Sequence, residues 1–298
     1  MRIFVTGASG WIGSAVTAEL LADGHDVLGL ARSDSSAEKV AALGAEVHRG
    51  SLEDLDTLRT AVQKSDGVVH LGYDHDFSQM ERAAGLNASA LDLFGSTLAE
   101  GAPLVIASGV AGFSLGRPAT ERDAADASRH PRIAASQKAL ALSGRGVRSI
   151  EARFAPTVHA PGDHGFVPTL VNVARERGFS GYIDEGSNQW SAVHRTDAAR
   201  LVAKAVESAP PGTVVHAIGE EGITTRAIAE AIGAGLGVPV QSVPADEAAE
   251  HFGWIGMFFG MDASASSTLT RDLLEWEPTH ATLLEDLAGP AYFEAPAS

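Results

Sequence analysis

The sequence predicts an α/β fold in which a doubly wound parallel sheet carries a smaller C-terminal lobe. Two observations lead there. Short, largely apolar runs recur at residues 3–5, 26–31, 66–71 and 104–107, each followed by a stretch with helical spacing. Runs of that kind read as strands buried on both faces, the habit of parallel strands. The first run also ends in a turn with glycines at 7, 10 and 13, and helical spacing resumes at residues 15–21.

Each glycine has a physical task in a strand–turn–helix unit. Gly7 lets the chain turn sharply, Gly10 lets the backbone approach a pyrophosphate, and Gly13 lets the helix pack close to the sheet. Ser9 lies within the turn. The amides of Gly10, Trp11 and Ile12 then face phosphate oxygens from a helix N-terminus, where the dipole favours negative charge. A tight turn with nothing bound is the plainer reading of a glycine triplet alone. The second strand, arriving on schedule at Asp26–Ala31, favours a Rossmann-type dinucleotide site.

Composition narrows the classes. With 298 residues there is room for one large α/β domain, or for a nucleotide domain with a smaller companion. The expected division puts residues 1–160, with returning segments about 190–220, in the nucleotide-binding core, and residues 161–298 mainly in a substrate-binding cap. A hydrophobic share of 45% against 20% charged residues is that of a globular chain. The formal net charge of −16 argues against a nucleic-acid partner. An anionic cofactor must then be held by local amides and a few cations. The chain has no cysteine, which excludes disulfides and cysteine-based metal or nucleophile chemistry. No apolar run reaches membrane-spanning length, and Arg2 leads straight into a strand. A soluble, cytoplasmic protein with no membrane partner is expected, and a homodimer is left open.

The remaining elements follow in order. The second strand ends Ala31-Arg32-Ser33, with no carboxylate until Asp34. An NAD site places an acidic residue there to hold the ribose hydroxyls, whereas a guanidinium suits a 2′-phosphate. The expected cofactor is therefore NADPH/NADP+, with Arg32 and Ser33 at the phosphate; an ordinary exposed cation at a strand end is the alternative. A short helix at 38–43, a third strand at 46–48, a helix at 55–62 and a fourth strand at 66–71 come next. Tyr73-Asp-His75-Asp-Phe77 follows at a strand's carboxyl end, where open α/β sheets bind ligands. One long helix, with a possible break at Gly85, is expected over 78–100. A fifth strand at 104–107 leads to Ser108, and a sixth covers 147–153. A helix at 166–177 precedes a strand or loop at 180–183. Thr196 or Asp197 should cap a helix at 198–207, and 214–218 returns to the sheet. Helices at 224–236 and 245–252 lead into Phe252-Gly-Trp-Ile-Gly-Met-Phe-Phe-Gly-Met261. Such a run is commonly core, but glycine-spaced aromatics and methionine also line adaptable apolar pockets. Tyr182, Trp190, Trp254, Met257 and Phe258 are the candidates for that wall.

The Gly-x-x-Gly-x-x-Gly spacing, with Thr6 and Trp11-Ile12, resembles the extended and atypical branches of the short-chain dehydrogenase/reductase superfamily, which include NAD(P)-dependent epimerase/dehydratase-like proteins. Asp66-Gly-Val-Val-His-Leu71 is close to that family's Val-Val-His-Leu-Ala, and the resemblance puts Leu71 and Gly72 near the pyrophosphate and ribose. Ser51-Leu52 stands where Asp-Leu commonly flanks the adenine. Residues 154–158 match an Arg-Pro-x-x-Val turn, which implies that Pro156 and Val158 hold the nicotinamide carboxamide. His194 and Asp197 resemble a segment that braces the nucleotide domain, and Trp276-Glu-Pro278 resembles the family's ending. C-terminal insertions form the substrate lid in such proteins.

The catalytic residues depart from this pattern. The family's serine or threonine follows the fifth strand; here Ser108 is one position early and Gly109 fills the slot. A Tyr-x-x-x-Lys pair on the next helix donates the proton, the lysine lowering the tyrosine's pKa and binding the ribose. Here Ile133 and Gln137 occupy those positions, and a shift to Lys138 leaves Ala134 in the tyrosine slot.

The resemblance then implies an NADPH-dependent oxidoreductase acting on a small apolar-bodied carbonyl or imine with a non-standard proton donor. The chain has three tyrosines, Tyr73, Tyr182 and Tyr292. The candidate catalytic residues are Tyr73, His75, Ser108 and His164, since a histidine titrates near neutral pH. An imine loosens the requirement, because an iminium accepts hydride with no proton in flight. The competing readings are a silent NADPH-binding sensor and, behind it, a sugar-nucleotide epimerase or dehydratase. His159 and His164, with Asp163, can be read as metal ligands, but two histidines on a Pro/Gly loop lack a secure third ligand, so no metal is expected.

Overall fold

In the computed structural model, the described residues are 1–73, 79–111, 113, 115–127 and 131–294. The first half runs β1 (Arg2–Thr6), α1 (Trp11–Ala22), β2 (Asp26–Ala31), α2 (Asp34–Ala42), β3 (Glu46–Arg49), α3 (Leu55–Gln63), β4 (Gly67–His70), α4 (Met80–Thr97), β5 (Pro103–Gly109), α5 (Pro131–Leu140) and β6 (Arg148–Phe154). There follow β7 (Thr157–His159), α6 (Phe166–Arg177), β8 (Ser180–Ile183), β9 (Gln189–His194), α7 (Arg195–Ser208) and β10 (Thr213–Ala217). The chain closes with β11 (Glu220–Thr224), α8 (Thr225–Leu236), β12 (Val240–Val243), α9 (Ala248–Phe252), α10 (Ile255–Phe259), α11 (Thr268–Leu274) and α12 (Leu283–Ala288).

Seven strands form one parallel sheet in the order β10-β6-β5-β4-β1-β2-β3. The order reverses between β1 and β4, which opens the crevice where such sheets take ligands. Alternation along each strand feeds two cores. Ile3, Val5, Val105 and Ile150 face α1 and α7, while Phe4, Leu28, Leu104 and Ile106 face α3, α4 and α5. All seven strands lie within two residues of the ranges expected from the sequence.

Local chemistry moved several boundaries. α2 starts at Asp34, earlier than expected, because Ser33 and Ser36 form a reciprocal capping box. α4 passes through Gly85 without a break. α7 is capped by His194, whose Nδ1 accepts from the Thr196 amide, and neither Thr196 nor Asp197 is the cap. α9 starts at Ala248, and the aromatic run is a separate short helix, α10.

Two small sheets lay outside the expectations, β11-β9-β7 and β12-β8. β7 has three residues, and β9 pairs with segments far away in sequence, so neither carries a readable period. The lobe they frame packs α6, α8, α9, α10 and α12 around Trp190, Phe259 and Leu283. The tail around α11 goes back to the main sheet, where the buried indole of Trp276 donates to the Asp197 carbonyl. No described helix is long and apolar enough to cross a membrane.

Candidate functional site

The crevice between β1 and β4 is built on a buried chain of hydrogen bonds. The Gly72 amide donates to Thr6 Oγ1 (3.0 Å), the Thr6 hydroxyl donates to His70 Nδ1 (2.7 Å), and His70 Nε2 donates to Asn87 Oδ1 (3.0 Å). One neutral tautomer satisfies every link. Burial pushes His70 down to about 4, so Nδ1 stays an acceptor at neutral pH. The chain draws the exits of β1 and β4 together. A Cβ on Gly7 (φ 71°) would sit 2.8 Å from the Gly72 nitrogen, so Gly7 serves this close approach as well as the turn. The sequence reading used Thr6 only as a family mark and missed the network.

Above it lies a cleft of about 710 Å³. Of the expected cofactor contacts, Gly7, Ser9, Gly10, Arg32, Ser33, Ser51, Leu52 and Gly72 line it. Tyr73 lines it too. Gly10 caps α1 without a side-chain acceptor, and the first turn of α1 holds no acid, so nothing there competes with an incoming anion. Gly13 is not part of the wall: its Cβ would lie 2.0 Å from the Gly7 carbonyl oxygen, so it packs against the turn itself.

The end of β2 carries the charge. Arg32 is exposed, lines the cleft and makes no ion pair among the described residues. The neighbouring carboxylate, Asp34, is held by Arg49 Nη2 (2.8 Å), whose Nη1 also donates to the Ser33 carbonyl (2.6 Å). Glu53, also in the wall, is paired with Arg82. Arg49 and Ser36 were not anticipated. The Ser33–Ser36 capping box was the available signal for Ser36.

Other expected contacts lie away from the cleft wall. Trp11 donates its indole N–H to the Val158 carbonyl (2.7 Å), packs edge-on against His164, and lies under the Arg195 guanidinium at 4.2 Å. Arg195 also donates to the Trp11 carbonyl and to Ser14. Trp11, Val158 and His164 thus form a brace between α1 and the β7 segment, which Pro156 enters. Ile12 and Leu71 pack against the sheet core.

Of the candidate catalytic residues, His75 lies outside the described residues. Ser108 has a buried Oγ with no hydrogen-bond partner among the described residues. Tyr73 lies beneath Arg132, whose guanidinium carbon is 4.2 Å from the ring centroid. Arg132 Nη2 donates to the Ala107 carbonyl at 3.3 Å. Sequence reasoning passed over Arg132, although it stands one residue before Ile133. Gln137 donates to the Ala125 carbonyl (2.6 Å), and Lys138 pairs with Asp92 on the surface (2.7 Å). The other two tyrosines are engaged in the lobe. Tyr182 lies under Arg226, and Tyr292 donates to Asp163.

In the expected substrate wall, Trp190 is a correction: 1% exposed, it sits between Phe166 and Phe259 as core. Trp254 and Met257 are 51% and 65% exposed, and Phe258 and Trp254 both contact Phe166. Histidines and acids near the lobe act as ties. His159 Nδ1 pairs with Asp286 (2.6 Å), and Asp163 accepts from the Gly165 amide. His194, Asp197 and His280 cluster closely, but the Asp197 carboxylate already accepts from the Thr279 and His280 amides, His280 Nδ1 and Arg200. Burial works to raise its pKa, and these hydrogen bonds outweigh it and hold the group below the usual range.

Comparison with known proteins agrees with this architecture. Residues 3–126 match the NAD dependent epimerase/dehydratase family. An uncharacterised protein of Schizosaccharomyces pombe is 46% identical over 295 residues, 98% of this chain and 100% of its own. A 4-hydroxy-2-methyl-3-oxo-4-farnesyl-3,4-dihydroquinoline-1-oxide ketoreductase of Stigmatella aurantiaca is 29% identical over 233 residues, 72% of this chain and 67% of that protein. The dTDP-glucose 4,6-dehydratase of Streptomyces venezuelae, solved with NAD and TYD bound, superposes with a TM-score of 0.75 at 19% identity, covering 98% of this chain and 96% of the other. A parallel sheet switching at a glycine turn, joined to this match in sequence, settles the kinship: the chain belongs to the NAD dependent epimerase/dehydratase family, whose members are NAD(P)-dependent oxidoreductase-type enzymes.

Proposed function

We propose that the protein is an NADPH-dependent oxidoreductase that reduces a small apolar-bodied carbonyl or imine. The observation that carries this reading is the end of β2: Arg32 faces the cleft beside the hydroxyls of Ser9, Ser33 and Ser36, while Arg49 holds the nearby Asp34 carboxylate. A guanidinium with hydroxyl donors matches a 2′-phosphate, and the Arg32 side chain itself offers a ribose diol no acceptor. The likeness to a ketoreductase supports reduction of a carbonyl.

The residues fit such a cofactor. Gly10 leaves its Cβ volume to the cleft and meets only the Gly7 carbonyl oxygen, at 3.1 Å. The uncapped first turn of α1 then receives the pyrophosphate, and Ser51 and Leu52 flank the adenine. Bound there, NADPH supplies a hydride at nicotinamide C4. The protein's part is to hold the acceptor at the β4 and β5 ends and to deliver a proton to its oxygen or nitrogen. Trp254, Met257 and Phe258 offer the apolar surface for the substrate body.

Cofactor titration tests the assignment. The native protein should bind NADPH well ahead of NADH, and Arg32→Glu should weaken NADPH by about 10- to 100-fold, the worth of a charge-assisted contact. Equal affinity for the two cofactors, or an unchanged Kd in Arg32→Glu, refutes it. Ile133 and Gln137 favour a second reading, a silent NADPH-binding sensor. Tight NADPH binding with no oxidation across aldehydes, ketones and cyclic imines would select the sensor.

A further inference from the structure

We infer that Tyr73 and Arg132 together replace the tyrosine–lysine pair, Tyr73 as the proton donor and Arg132 as the positioning residue that stabilises the phenolate it leaves, because the β4 exit and the first turn of α5 stack one on the other beside Ser108. The inference deepens the reductase reading and rests on it.

Three segments converge. Gly72 is pinned through Thr6, so the main chain enters Tyr73 from a fixed point, and Tyr73 lines the same cleft as Gly7 and Gly10. α5 covers the sheet face to which Ile106 projects, and by strand alternation Ser108 projects there too. From the first turn of α5, Arg132 reaches the Ala107 carbonyl and lays its guanidinium 4.2 Å from the Tyr73 ring centroid. The next residue along β5 is Ser108, whose buried hydroxyl has no hydrogen-bond partner among the described residues and can meet a substrate oxygen. A phenol and a cation are thus stacked at the strand end that carries the Ser108 hydroxyl, the same three kinds of group as the family's tyrosine, lysine and serine, drawn from other positions of the sequence. Burial pushes the Arg132 guanidinium down, but an arginine remains a cation at neutral pH.

The chemistry balances. Hydride passes from dihydronicotinamide C4 to the carbonyl carbon, and the carbonyl π pair moves onto oxygen and takes the Tyr73 proton. The Tyr73 O–H pair stays behind as phenolate, and a proton from water later restores the phenol. NADPH is oxidised to NADP+ and the carbonyl is reduced to an alcohol. The ring carries more negative charge as the proton leaves, so a cation on its face is held more strongly in the transition state than in the ground state.

The test is a double-mutant cycle on the full-length protein with Tyr73→Phe, Arg132→Met and both. Each single change should lower kcat by about 100-fold or more with the NADPH Kd within about twofold, and the double variant should be no worse than the poorer single one. Arg132→Lys should recover part of the loss, and it keeps the test alive if Arg132→Met fails to fold. Losses that multiply, or an Arg132→Lys variant that recovers nothing, in a protein that still reduces carbonyls, overturn the pairing alone. A native protein that binds NADPH and reduces nothing overturns the reductase reading, and the donor role with it.

Discussion

His70 carries three duties: it closes the β4 exit, accepts from Thr6 and orients α4 through Asn87. Its burial also sets a pH dependence. An unfolded histidine titrates near 6.5, while burial holds His70 at about 4 in the folded protein. Between those values the unfolded chain binds the extra proton, so stability rises with pH through this window and is lost as pH falls from about 6.5 to about 4. Urea unfolding at pH 7 and pH 5 checks this. On acidification the native protein should lose about 2 kcal/mol more than a His70→Gln variant. Parallel losses would show that His70 is not the titrating group. None of this was visible in the sequence, because Val-Val-His-Leu reads only as a strand. The partners that make the histidine informative stand 64 and 17 residues away from it.

At the scale of the element, the glycine turn separates folding from binding. Gly13→Ala places a methyl 2.0 Å from the Gly7 carbonyl oxygen, a backbone atom that cannot swing aside. It should cost about 3 kcal/mol or more and lower the melting temperature sharply. Gly10→Ala meets only the Gly7 carbonyl oxygen, at 3.1 Å, a contact that a small shift relieves. That variant should melt within a few degrees of the native protein and yet bind NADPH at least about tenfold more weakly, because the methyl stands in the cleft. A Gly10→Ala protein with native affinity would remove the turn from the cofactor site. The glycine spacing announced a turn of this kind. Only the tertiary structure divides the glycines between those that serve the protein's own backbone and the one that leaves room for a ligand. α2 is a similar case: Ser33 was expected at the phosphate and also serves as the helix cap that starts α2 early.

Across the whole molecule, a C-terminal strap ties the lobe to the site. Asp286 holds His159, Tyr292 holds Asp163, and the Leu283 amide donates to Glu220 Oε2. These contacts fix both ends of the loop that carries His164 against Trp11. Leu283 itself is fully buried in the lobe core. Leu283→Ala should cost about 2–5 kcal/mol. Hydrogen exchange should show lost protection in α6, α8 and α12 first, with the main sheet still protected. Uniform loss across both would mean that the lobe and the sheet open as one unit.

The sequence alone determined the α/β class, the seven core strands, the glycine turn and the cation at the end of β2. Each is written in local pattern: continuous apolar runs, glycine spacing and the residue at a strand end. The tertiary structure alone decided what the polar side chains do. Trp11 became a brace and Trp190 core, Asp197 became a knot for the tail, and Arg132 came to rest on Tyr73. The physical reason is that a buried polar or aromatic group takes its role from partners that folding brings to it from distant segments. Residue type and spacing record the backbone's periodicity and leave those partners unspecified.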